Sequence, residues 1–166
     1  LSLSGFWGVV AGVAALAGAL IAWVFMDYRC SLMVVAGAVL VLSLSVAFWL
    51  SVKKAKREGK HFWTPVSRKM LVHLFIPLVT GGILAVVFMS QGNMQLVVPV
   101  FLIFYGLALV NAAKYTLGEI FYLGILEIIT GLVLTIFPGW WLIGWSFGFG
   151  ILHVVYGLVM YGKYGR

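Results

Sequence analysis

Glu127 and His153 are the residues whose types and positions could do proton chemistry together. Each sits inside a long apolar run, on a helical face marked by small residues. Gly124, Glu127 and Gly131 fall at i, i+3 and i+7, and Gly150, His153 and Gly157 repeat that spacing. An ionised Glu near mid-bilayer costs on the order of a few kcal/mol unless it is paired. Removal from water favours the neutral form of both groups, whereas mutual pairing favours their charged forms. The two would therefore titrate as one coupled unit, in the range where histidine changes charge. One reading is a proton-sensing or proton-carrying site. The other is a structural clasp that fixes helix register. The sequence leaves both open.

Other candidates are weaker. Gly144-Trp145-Ser146-Phe147-Gly148 has the spacing of a hydrolase nucleophile elbow, but that motif needs a strand–turn–helix context. His153 lies seven residues beyond Ser146, about 10 Å along a helix and out of hydrogen-bond reach. No catalytic residues and no metal site are assigned, and the chain reads as non-enzymatic. No cofactor is required. A membrane histidine can hold haem or a chlorophyll-type pigment, so His153, with room made by Gly150 and Gly157, is the place where one would bind. His73, near Asn111, Lys114 and Glu119, reads as an interfacial hydrogen-bonding residue, and Glu119 with Lys114 as an exposed ion pair. Cys30 stands alone and allows no internal disulfide.

The elements that position these residues are membrane spans. Hydrophobic residues make up 64% of the chain and charged ones 9%, against about 25% charged in a soluble domain. So much apolar surface needs a solvent other than water. Six apolar runs, at 6–26, 32–52, 70–89, 94–113, 117–137 and 140–161, each approach the ~20 residues that cross hydrocarbon. They are continuous rather than alternating, which argues for helices. The first is too long for a signal-peptide core and lacks basic flanks, so it reads as a retained span.

Breaks at Asp27-Tyr28-Arg29, Ser90-Gln91-Gly92-Asn93 and Pro138-Gly139 read as tight helical hairpins. Residues 53–69 form the one long loop. The net charge of +7 is concentrated there, seven of eleven basic residues falling between Lys53 and Lys69. With no groove-reading module beside them, nucleic acid is not the partner. Lys53, Lys54, Lys56, Arg57, Lys60, Trp63, Arg68 and Lys69 read as a topology signal or a contact to anionic lipid headgroups, with a docked membrane subunit as the sharper alternative. An inside N-terminus gives the cytoplasmic side ten basic residues and the outside only Arg29, so both termini should be cytoplasmic.

Depth can then be compared. Glu127 lies about ten residues from the start of the fifth run, and His153 about eight from the end of the sixth. Both are roughly 12–15 Å deep, and a contact across a glycine-lined interface within this hairpin is expected.

The hairpins also resemble one another. Gly82–Phe88 resembles Gly131–Phe137, Tyr105-Gly106-Leu107 resembles Tyr156-Gly157-Leu158, and Gly18–Phe25 more weakly resembles Gly81–Phe88. The expected fold is an all-α integral membrane protein of six transmembrane helices in three repeated hairpins. Aligned this way, Glu127 and His153 correspond to Leu78 and Leu102, so the polar pair breaks the repeat.

Gly124-x₆-Gly131-x₆-Pro138, followed by Gly150 and Gly157, resembles the repeated hairpin of HdeD-like membrane proteins. The second hairpin departs from it, with Pro77 and Pro99 inside its helices and none at its turn. The resemblance implies a small bacterial inner-membrane protein linked to acid stress, with no established catalytic residues. An accessory subunit of a larger membrane complex is the alternative from another class, and a small transporter a third, for which polar residues to line a path are few.

Overall fold

The computed structural model describes residues 2–24, 64–116 and 118–164. These residues are helical almost throughout, and among them there is no strand. Helix α1 covers Ser2–Val24, α2 Pro65–Ser90, α3 Val97–Ala113 and α4 Glu119–Ile136. The last span is composite. A 3₁₀ turn at Pro138–Trp140 leads into α5 (Trp141–Trp145), a π-helical segment Ser146–Leu152 and α6 (His153–Tyr164). The third to sixth apolar runs thus correspond to α2, α3, α4 and the composite span. The second run (32–52) and most of the basic loop, with Lys53, Lys54, Lys56, Arg57, Lys60 and Trp63, lie outside the described residues, as do Arg29 and Cys30.

Four stretches are long and apolar enough to cross a membrane: Pro65–Ser90, Met94–Ala113, Glu119–Ile136 and Pro138–Tyr164. Their outward faces fit that solvent. On α2, Val72, Phe75, Ile76, Val79, Ile83 and Val86 are all exposed. A contiguous apolar face of this kind is unfavourable in water and suited to hydrocarbon.

Local chemistry sets the ends. Thr64 caps α2 by accepting from the Ser67 N–H at 3.1 Å, and Pro65 follows at the first helical position. This start draws Arg68 and Lys69, expected in the loop, into the first turn of α2. At the other end Gly92 adopts φ +77°, and the Asn93 N–H returns to the Phe88 carbonyl at 2.8 Å. Pro77 lies within a continuous α2 and Pro99 in the first turn of α3, where its missing N–H costs little. Neither divides its helix, which removes the interruption a transport path would have used. Pro138 ends α4.

Helix α3 packs on both α2 and α4, while α1 packs on the composite span. These interfaces depend on glycine. A methyl group on Gly124 would come within 2.7 Å of the Gly106 carbonyl oxygen, and one on Gly12 within 2.6 Å of the Gly150 carbonyl oxygen. Small residues here let backbones touch.

The expected glycine contact inside the last hairpin is not what forms. Gly131 faces Pro99 and Ile103 of α3, and Gly157 faces Gly8 of α1. The physical reason is a choice of partners. Gly131 and Gly157 each meet a face on a helix outside their own hairpin, while α4 and the composite span meet where Leu134 and Glu127 lie against Gly144 and Gly148.

The four described Lys and Arg residues, Arg68, Lys69, Lys114 and Lys163, share one end of the helices. His73 of α2 stacks on Tyr115 there, with ring centroids 5.5 Å apart.

Candidate functional site

Glu127 is fully buried in the middle of α4, and His153 is buried at the junction of the π segment and α6. Their nearest atoms, Glu127 Oε1 and His153 Nδ1, are 3.3 Å apart. The same Nδ1 lies 3.1 Å from the Gly148 carbonyl oxygen, five residues earlier. A carbonyl only accepts, so Nδ1 carries a proton and donates it. On the other side of the ring, Nε2 lies 2.9 Å from the Tyr105 hydroxyl of α3. In the neutral imidazole Nε2 accepts from that hydroxyl, and in imidazolium it donates to it. The Tyr105 and His153 rings stack at 5.5 Å.

The wider turn of the π segment produces this arrangement. It brings the Gly148 carbonyl toward the His153 ring and places Gly148 directly against Glu127. A methyl group on Gly148 would lie 2.7 Å from Glu127 Oε2. Phe149 packs on Tyr105 with centroids 5.3 Å apart and on Trp145 at 4.6 Å, covering the cluster with aromatic surface.

The carboxyl itself is the outlier. Among the described residues, neither Glu127 oxygen has a hydrogen-bond partner, although Nδ1 is within ion-pair range. Two protonation states keep the pair neutral: a carboxylic acid beside a neutral imidazole, or a carboxylate beside an imidazolium. Either leaves no isolated charge in hydrocarbon, which would cost on the order of several kcal/mol. The geometry can hold, accept and pass a proton.

A cofactor fits poorly. Both nitrogens of His153 are engaged, and the space above Gly150 and Gly157 is taken by Leu16 and Gly8 of α1. No group of three His, Cys, Asp or Glu side chains gathers among the described residues. The Ser146 hydroxyl donates to the Leu142 carbonyl of its own helix at 2.9 Å.

A second polar cluster sits at the helix ends. Glu119, the first residue of α4, pairs with the Lys163 ammonium and accepts from the Tyr164 hydroxyl at 3.1 Å. Lys163 therefore takes the place expected for Lys114, because the last turn of α6 lies beside the start of α4.

Sequence reasoning missed Tyr105 and Gly148. Tyr105 was visible as half of the repeated Tyr-Gly-Leu, and Gly148 as the end of the rejected Gly-x-Ser-x-Gly. Comparisons with family models, curated proteins and solved structures give no match to this chain.

Proposed function

We propose that this chain is a non-enzymatic, HdeD-like protein of the bacterial inner membrane whose Glu127–His153 pair responds to protons. Six spans in three hairpins would place both termini in the cytoplasm, with the basic residues against anionic headgroups. The common end of Arg68, Lys69, Lys114 and Lys163 supports that orientation. The repeat finds support in Gly106 and Gly157, matched positions that each meet a glycine of another helix, Gly124 and Gly8.

One observation carries the functional reading. Among the described residues, a fully buried carboxyl with two unpartnered oxygens stands 3.3 Å from an imidazole nitrogen. A clasp selected for stability would satisfy those oxygens, because unpaired buried polar atoms weaken a fold. Leaving them open keeps the carboxyl able to change state. Among the described residues, the titratable groups around it are His153 and, beyond it, Tyr105 of α3, while α1 contributes none among residues 8–24.

Infrared difference spectra of the purified protein test this. Between about pH 5 and 8 a carboxylic-acid band should grow on acidification and be missing in Glu127→Gln. A spectrum with no carboxyl change across that range would make the pair a fixed clasp.

A further inference from the structure

At mid-span one hydrogen has two acceptors within reach. His153 Nδ1 lies 3.1 Å from the Gly148 carbonyl oxygen and 3.3 Å from Glu127 Oε1. Its N–H is aimed at the carbonyl, since among the described residues neither Glu127 oxygen has a hydrogen-bond partner. A carbonyl and a protonated carboxyl are both neutral acceptors, whereas a hydrogen bond to a carboxylate is roughly twice as strong. Turning the ring about its Cβ–Cγ bond, a soft torsion, re-aims the hydrogen from one oxygen to the other. At Nε2 the Tyr105 hydroxyl, 2.9 Å away, keeps its bond by turning about its own C–O bond.

The competing carbonyl belongs to the π segment. The Nδ1–H bond joins residue 153 to residue 148, the i, i+5 separation that a π turn closes, and so spans most of Ser146–Leu152. The same segment is the seat of α1. Gly150 lies against Leu16, and a methyl group on Gly12 would come within 2.6 Å of the Gly150 carbonyl oxygen. Just before the segment, the Trp145 indole N–H donates to the Ala15 carbonyl at 3.2 Å. Gly12, Ala15 and Leu16 fall at i, i+3 and i+4, so one face of α1 rests on this stretch.

We propose that the contest for this hydrogen reports the charge on Glu127 to α1, with the π segment as the relay. The relay rests on the proton-responsive reading above. With Glu127 protonated, the hydrogen stays on the Gly148 carbonyl and ties the π segment, which is the arrangement of this structure. When Glu127 ionises, the carboxylate takes the hydrogen, the carbonyl loses a bond, and the seat of α1 loosens. The hydrogen stays covalently bound to Nδ1 throughout, and only its acceptor changes. Among the described residues, the titratable groups facing Glu127 are His153 and, beyond it, Tyr105 of α3. Tyr156 follows three residues along α6, and α1 carries none over residues 8–24.

Amide hydrogen exchange of the whole chain in lipid nanodiscs provides the test. It is read on either side of the Glu127 infrared titration and corrected for the intrinsic pH dependence of exchange. Ionisation should speed exchange about tenfold at residues 146–152 and at residues 12–16 of α1, the worth of roughly one hydrogen bond. Glu127→Gln, near-isosteric and uncharged, should stay at the slow level at both pH values. His153→Gln, which has no nitrogen at the Nδ1 position, should stay at the fast level at both. Unchanged exchange in the wild type while the carboxyl band titrates would overturn the relay and leave proton binding intact. A pH effect that persists in Glu127→Gln would do the same. Faster exchange at residues 146–152 with α1 unmoved would overturn the report to α1. A carboxyl band that never moves removes the proposed function itself and the relay with it.

Discussion

Two clusters in this protein use the same three chemical parts. Glu119, Lys163 and Tyr164 meet at the helix ends, and Glu127, His153 and Tyr105 meet at mid-span. Each combines a carboxyl, a basic nitrogen and a phenol. The difference lies in their surroundings. Lys163 is 58% exposed, whereas Glu127 is 0% exposed. At the ends, water and salt screen the charges and stand in for a lost partner, so the cluster contributes little. At mid-span nothing replaces a partner, and removing one group strands another. The basic residues match this division, with an always-charged lysine where charge is cheap and a neutral-capable histidine where it is not.

The strongest way to break the contrast is steric. Gly148→Leu would drive a side chain into Glu127, whose Oε2 already lies 2.7 Å from where a Cβ would stand. It should cost about 3 kcal/mol or more and remove most folded protein from a detergent melt. A variant that melts like wild type would mean the carboxyl is elsewhere.

A smaller effect sharpens the same comparison. Glu127→Gln and His153→Gln should be non-additive in stability, with an interaction term above ~0.5 kcal/mol. The matching cycle of Glu119→Gln and Lys163→Gln should show no coupling in thermal melts at physiological salt. Equal coupling in both cycles would erase the distinction by depth.

The smallest effect is ionic. Raising salt to ~1 M shortens the screening length to about 3 Å and should abolish any stability that Lys163→Gln removes at low salt. The mid-span infrared titration should stay where it was.

Much of this arrangement can be read from residue order, for identifiable reasons. Helix type and the turns at Ser90–Asn93 and Pro138–Gly139 follow from run length and turn chemistry, and α2–α4 begin and end near the expected places. A constant rise per residue set Glu127 and His153 at one depth, and their side chains lie 3.3 Å apart. Partner choice was harder. Hairpin connectivity pointed to contact between the fifth and sixth runs, yet Gly131 meets α3 and Gly157 meets α1, because close packing follows shape rather than chain order. Gly148 was hidden by the assumption of 3.6 residues per turn. The π segment changes that period for seven residues, and a five-residue separation becomes a contact. Tyr105 lies 48 residues from its histidine, beyond any periodic signal.

The depth of Glu127 carries a consequence of another kind. It stands eight residues beyond Glu119 on α4, about 12 Å along the axis, within hydrocarbon about 30 Å thick. A proton that reached it from the Glu119 end would cross roughly two-fifths of the transmembrane voltage. At about 2.3 kcal/mol per charge per 100 mV, that is about 1 kcal/mol, or near fivefold in occupancy, for each 100 mV. With that end cytoplasmic, an interior-negative voltage opposes entry. Occupancy would then rise when the cytoplasm acidifies and rise again when the membrane depolarises, so that one carboxyl responds to both components of the proton-motive force.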